Sequence, residues 1–279
     1  VCGRAQRMTS AAPQAMAVAK ALEAVLRQDR GRIMATLAWR LGSLQLAEDA
    51  LQEASLSAMV HWARSGLPHS PQGWLIRVAF RKALDQLRTD GRSAAREEAM
   101  HLVNTLLGED EPEAIPDERL RLIFTCCHPA LELKSRVALT LRTVCGLSTG
   151  EIARLFLDNE ATMAQRLSRA KARLSSAGLA FAVPGPEEWD DRLQAVLTTV
   201  VLIFTTGYTA DAPGAARDLC GEALFLGRLL LALCPDQPEA EGALALMLLT
   251  DARRAARINT AGATVPPGEQ DRGLWDPAM

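Results

Sequence analysis

The stretch Leu147–Leu174, LSTGEIARLFLDNEATMAQRLSRAKARL, constrains this chain most. Its spacing predicts two helices joined by a tight turn. Ser148 stands at an N-cap and Glu151 follows three residues later, the pattern of a capping box. Ile152, Leu155 and Phe156 share one side of a short first helix. Leu157, Asp158 and Asn159 interrupt it, and Asp158 or Asn159 supplies the cap of a second. In the second helix Met163, Leu167, Ala170 and Leu174 recur at i, i+4, i+7 and i+11, which defines a buried face. Ala161, Gln165, Ser168 and Ala172 lie opposite, with Arg166, Arg169, Lys171 and Arg173 around them.

That outer surface suits a DNA major groove. Small side chains allow close approach, amides and hydroxyls can read base edges, and flanking cations meet phosphates. A helix-turn-helix supplies the docking geometry. A plain helical hairpin with a solvated basic face is the competing reading, and the capping box, the short first helix and the groove-compatible second helix weigh against it.

The 279 residues leave room for two or three small domains, and the net charge of −2 is unevenly spread. Residues 1–90 carry +5, residues 91–116 −4, residues 117–178 +4 and residues 179–279 −7. Two basic blocks are thus separated by an acidic linker and followed by an acidic block, a distribution expected of a nucleic-acid partner for the basic blocks. Six cysteines, at 2, 126, 127, 145, 220 and 234, form no CxxC pair and no zinc spacing. Cys126-Cys127-His128 lies in an apolar helical run, where free cysteine acts as a small hydrophobe. Scattered thiols fit a reducing cytosol. No secretory signal precedes Pro13, and the longest apolar run, Ala195–Phe204, is too short to span a bilayer. The expectation is a soluble, cytoplasmic, non-enzymatic protein without metal or cofactor.

The fold expected is all-α. Residues 1–13 read as disordered. Residues 14–90 read as a helical domain, with helices at Gln14–Gln28, Arg30–Leu41 (stopped by Gly42), Ala47–Ala63 and, after Ser70 as N-cap and Pro71 at N1, to about Arg88. Asp49, Gln52 and Glu53 group on one face of the third. Trp74, Arg77 and Arg81, with Lys82 and Arg88, set cations among aromatics on the fourth, a pattern suited to a melted DNA strand. Phe80, beside Leu84 and Leu87, reads as core. Residues 91–116 read as an acidic linker with a short helix at Ala94–Leu107. Residues 117–178 hold helices at Asp117–His128 and Leu131–Cys145 and then the helix-turn-helix. Pro184-Gly185-Pro186 opens a C-terminal helical block, residues 185–279, with helices at Trp189–Phe204, Ala215–Cys234 and Pro238–Ala256. Its tail, Ile258–Met279, reads as a hairpin or as disordered. Tyr208 falls in a polar loop that reads as exposed rather than as a ligand pocket.

The run LAEDALQEA (Leu46–Ala54), Trp62, the proline-containing loop Arg64–Gly73 and WLIRVAFRKALDQLR (Trp74–Arg88) resemble region two of bacterial sigma factors. The helix-turn-helix resembles region four. Their order and spacing resemble the extracytoplasmic-function group. The C-terminal motifs LIFTTGYTA, RDLCGEALFLGRLL, LALMLLTDARRAARI and EQDRGLWD resemble the subgroup with a tetratricopeptide-type helical extension. The resemblance implies core RNA polymerase docking through Asp49, Gln52 and Glu53. It implies capture of the minus-ten element by the Arg64–Gly73 loop and the helix after it. It further implies reading of the minus-thirty-five element by Ala164, Gln165 and Ser168, with Arg166 and Arg169 beside them. One departure stands out: Phe80-Arg81 occupies the place where the family usually has Arg-Asn. An anti-sigma or other regulatory protein is a further partner to expect, and no membrane. The acidic C-terminal block is expected to restrain the DNA-binding blocks by competing for Arg166, Arg169, Lys171 and Arg173, with apolar packing of its first helix, Leu193–Phe204, on region four adding to the restraint. The alternative is a one-component helix-turn-helix regulator with a ligand-binding C-terminal block, which leaves the first basic block without a role.

Overall fold

The computed structural model describes residues 5–89, 118–177, 181–209, 218–259 and 263–278, with the side chains of 5–15, 88–89 and 209 left aside. Among them are ten α-helices and no strand: α1 (Ala5–Leu41), α2 (Leu44–Ser65), α3 (Pro71–Thr89), α4 (Arg119–Cys126), α5 (Leu133–Thr143), α6 (Thr149–Leu155), α7 (Glu160–Ser176), α8 (Trp189–Thr209), α9 (Leu219–Leu233) and α10 (Pro238–Asp251). The linker helix expected at Ala94–Leu107 lies outside the described residues.

The first three helices pack on one another. Two expected helices are one here, because α1 runs unbroken through Gln28–Gly31 and begins at Ala5 rather than near Gln14. Gly31 lies inside the continuous helix. A Cβ there would lie 3.1 Å from the Val144 carbonyl oxygen, so glycine permits close approach of α1 to the end of α5. The stripe Ile33, Met34, Leu37 and Ala38 beyond it is fully buried and drives the continuation. Ser43 caps α2, accepting from the Leu46 amide at 3.3 Å. Ser70 caps α3 the same way, at 3.2 Å from the Gly73 amide.

Helices α4 to α7 form the second unit. Ser148 Oγ accepts from the Glu151 amide at 3.2 Å and Glu151 Oε2 from the Ser148 amide at 2.7 Å, so the capping box is complete. Asn159 caps α7, accepting from the Thr162 amide at 2.8 Å. Met163, Leu167, Ala170 and Leu174 are buried, as their spacing predicts. Leu157 makes the turn between α6 and α7 with φ 54° and is 94% exposed. Left-handed backbone costs a leucine about 1–2 kcal/mol, and no packing offsets it here. Leu157→Asn is expected to raise stability by up to about 1 kcal/mol, asparagine being far more at ease at positive φ; an unchanged or lower thermal midpoint would refute the strain.

The C-terminal block is built on α8, which packs against α9, α10, α4 and α5. Helix α8 continues to Thr209, so Tyr208 lies in its last turn rather than in a loop. Its ring stacks on Phe204 at 5.8 Å and is covered by the Arg257 guanidinium at 4.4 Å. Residues 210–217 lie outside the described residues. The tail is ordered by an isolated antiparallel bridge between Ile258 and Thr264 and by Trp275, held between Arg253 and Arg272 at 5.9 and 5.6 Å. Among the described residues no helix is long and apolar enough to cross a membrane.

Candidate nucleic-acid and polymerase interfaces

Helix α7 presents the expected outer face. Ala164, Gln165, Ser168, Arg169 and Arg173 are exposed, and Arg166 and Lys171 are half-buried. The cations do not share one environment. Arg166 is tied to Asp158 in the preceding turn at 2.6 Å, a charge-assisted pair that fixes the α6–α7 corner. Arg169 reaches back to Gln165 Oε1 at 3.2 Å, one turn away on the exposed face. Arg173 donates to the Ala130 carbonyl at 2.7 Å. Lys171 is turned away from open solvent: it meets Glu48 Oε2 at 2.6 Å and Gln45 Oε1 at 2.8 Å, both on α2. The partners of these four cations therefore lie in α2, in α7 and its preceding turn, and in the α4–α5 turn. Among the described residues the acidic partner of Lys171 is Glu48 of α2, and α8 of the C-terminal block packs on α4 and α5.

On α2, Gln52 and Glu53 are exposed and Asp49 is half-buried. Gln45 Nε2 donates to both Asp49 carboxylate oxygens, at 2.9 and 3.1 Å. Leu56 and Val60, 57% and 55% exposed, continue the same stripe at i+7 and i+11 from Asp49. An acidic patch running into exposed aliphatics is the composition of a protein-docking face. Sequence reasoning missed Leu56 and Val60, though their helical spacing carried the signal.

On α3, Phe80 is 4% exposed and belongs to the core. Arg81 is exposed beside it, and Arg77 is half-buried. Trp74 is not an open stacking platform. It lies against Trp62 edge-on at 5.5 Å and is stacked with His61 at 5.4 Å. His61, exposed, is the solvent end of this aromatic stack and escaped sequence reasoning because it sits on α2, away from the cations.

Cys126 and Cys127 are fully buried, and burial pushes both thiols up, Cys126 well above its ordinary value. Such thiols are poor nucleophiles and poor ligands. His128 Nδ1 accepts from the Ala130 amide at 3.0 Å, which shapes the α4–α5 turn. Burial, and then Arg192 beside it, hold His128 below the usual imidazole range. Among the described residues no group of three or more His, Cys, Asp or Glu could hold a metal ion.

Comparison with known proteins agrees with this arrangement. Residues 25–93 match Sigma-70 region 2, and residues 121–174 match Sigma-70 region 4. Residues 192–279 match a family of unknown function. The class is thus that of proteins carrying the two sigma-70 regions in order. The two regions, followed by the extra C-terminal domain, indicate a sigma factor of the extracytoplasmic-function type. A protein of Rhizobium meliloti (strain 1021), described as uncharacterized, is 41% identical over 268 residues covering 92% of this chain. The chain spans 63% of that relative's length. No solved structure matches the chain.

Proposed function

We propose that this chain binds core RNA polymerase in the cytoplasm and directs it to promoters, the first helical domain taking the minus-ten element and the helix-turn-helix the minus-thirty-five element. The observation that carries the reading is the presence, on one chain and in order, of sigma-70 regions two and four, with Ala164, Gln165, Ser168 and Arg169 exposed on the second helix of the turn. Core polymerase docks on Asp49, Gln52 and Glu53, extended by Leu56 and Val60. The minus-ten strand meets Arg81 first, then Arg77 and the His61–Trp74 stack. Arg166, Lys171 and Arg173 serve as phosphate contacts once their internal partners let go. The role is one of binding, without catalysis, in keeping with sigma factors in general. An anti-sigma or other regulatory protein acts through or beside the C-terminal block. Nothing favours the one-component regulator, which gives α1–α3 no task.

Run-off transcription with purified core polymerase and a promoter library tests the reading; no specific initiation from any template would end it. Gln165→Ala is expected to relax preference at one or two base pairs of the duplex, by about 1–3 kcal/mol for a bidentate contact. Arg169→Ala is expected to weaken binding to every sequence and to flatten the dependence on salt. Equal loss on all sequences for Gln165→Ala would remove its base-reading role.

A further inference from the structure

We propose that a groove between α8 and α10 of the C-terminal block takes an amphipathic helix of a partner protein, one with an apolar stripe and with lysine or arginine at one end. The proposal rests on the reading of the C-terminal block as the seat of a regulatory partner.

The groove follows from chain order. Helices α8 and α10 are joined through α9 and touch each other, and the Trp189 indole N–H on Gln237 Oε1 at 3.0 Å ties their starts together. Leu197, Thr198, Val201 and Leu202 of α8 form one wall, Ala243 of α10 belongs to the other, and Leu133 at the start of α5 adds to the lining. The space is about 430 Å³. From Gln194 to Thr205 the α8 wall runs for about 16 Å, roughly three helical turns. Leu202 and Leu133 are each 37% exposed, and Leu246, one turn beyond Ala243 on α10, is 63% exposed. Apolar side chains left open in one line mark a contact surface. Leu133 belongs to the helix-turn-helix unit, so an occupant of the groove touches both units.

The lining selects a helix. The Thr198 and Thr205 hydroxyls donate to the Gln194 and Val201 carbonyls one turn back, each at 2.8 Å. Among the residues that line the groove, Gln194 and Glu239 are the only amide or charged side chains, and both stand near the starts of their helices. An extended peptide would leave its N–H and C=O groups without partners along most of this wall, whereas a helix satisfies its own. A small ligand needs several convergent polar groups to fix it, and the groove holds too few.

The mouth of the groove sets the charge of the occupant. Asp190 and Asp191 precede Gln194 by one turn, and Asp236 stands just before Glu239. All four acids are exposed, and among the described residues none of them is in an ion pair. Arg192, the one cation in residues 187–194 and 236–241, is held by Glu188 at 3.4 Å and by the Phe124 carbonyl at 3.0 Å. Acids at helix starts suit the helix dipole, but about half a positive charge at each start leaves most of the four uncompensated. Glu132 and Lys134, on either side of Leu133, carry opposite charges. The cationic end of an incoming helix meets this mouth while its apolar stripe meets the walls.

The test is a selection from a displayed library of helical peptides, about 15 residues long, against the purified full chain, followed by affinity measurements on synthetic copies by fluorescence anisotropy. The selected peptides should share apolar residues at i, i+3 or i+4, and i+7, and carry lysine or arginine at one end. Leu202→Glu and Leu246→Glu, both at exposed positions, should each weaken binding about 10-fold or more at unchanged helicity. Asp190→Asn with Asp191→Asn, which keeps the size of both side chains, should weaken it about 3-fold and flatten its dependence on salt. Leu56→Asp on α2 should leave it unchanged. Selected peptides that lack the stripe or the basic end, or that bind the groove variants as they bind the parent, would overturn the groove. So would a chain that is dimeric until Leu246→Glu splits it, which gives the surface to a second copy. Failure of the regulatory reading is seen separately, as a peptide that occupies the groove yet changes neither duplex binding nor run-off transcription.

Discussion

Reversing Asp49 and Glu53 to lysine together is expected to cost the chain about 3 kcal/mol of affinity for core RNA polymerase, roughly a hundredfold, with helicity unchanged. The effect is large because two acidic groups on one exposed helical face become two cations against a surface complementary to acid, and like charges brought together at an interface cost several kcal/mol. The folded chain tolerates the change. Glu53 is exposed and lies only 4.0 Å from Lys82 in a solvated pair, the kind that contributes little to stability. Asp49 is engaged by Gln45, so its reversal also breaks that hydrogen bond, whereas Glu53→Lys alone leaves Gln45 in place. Binding measured by surface immobilisation of core polymerase separates the two. A double variant that binds as the parent does would remove α2 from the docking site. Leu56→Asp, one turn on, should weaken binding as well, because the exposed aliphatic stripe is the apolar centre the acidic patch borders.

Much of this arrangement is legible in the sequence, and what is not has a physical reason. Local rules worked where the information is local. Ser148 with Glu151, Asn159, and Ser70 before Pro71 each cap the helix they were expected to cap, because a cap is decided within four residues. The buried face of α7 followed from its period. The break expected between Gln28 and Arg30 is absent: α1 runs through it, and Gly31 just beyond answers to a distant neighbour, the Val144 carbonyl. Gly207 beside Tyr208 suggests a loop, yet Tyr208 lies in the last turn of α8, packed against Phe204 and Arg257. The candidate site divides in the same way. Periodicity identifies Gln165, Ser168 and Arg169 as outward. It cannot reveal that Lys171, on the same helix, is claimed by Glu48 from another domain, since no spacing rule relates residues 123 apart. Net charge, too, carries no information on which segments meet. It identified α7 as the basic surface to be covered and the C-terminal block as the most acidic segment, but which acid reaches which base is set by apolar packing, and α8 is held on α4 and α5.

That packing makes Phe124→Ala the most destabilising single change expected here. Phe124 is fully buried on α4, its ring 5.4 Å from Trp189 at the start of α8, and its carbonyl accepts from Arg192 of α8 at 3.0 Å. Trp189 is itself fixed by its indole N–H on Gln237 Oε1 at 3.0 Å, which ties the start of α8 to the start of α10. One ring thus stands where the helix-turn-helix domain and the C-terminal block share a core. Truncating a buried phenylalanine costs about 3–5 kcal/mol, because the cavity adds to the lost transfer energy. The loss should fall on both units. Hydrogen exchange should accelerate in α5 and in α8 together, and thermal unfolding should stay a single transition at a lower midpoint. Acceleration in α5 with α8 unaffected would mean that the C-terminal block folds independently. The expected outcome has a functional corollary. A C-terminal block that shares a core with α4 and α5 is expected to move with the helix-turn-helix. Deleting the block would strip α4 of its Trp189 and Arg192 contacts, and a deletion variant is therefore expected to lose duplex binding through instability rather than to gain it through release.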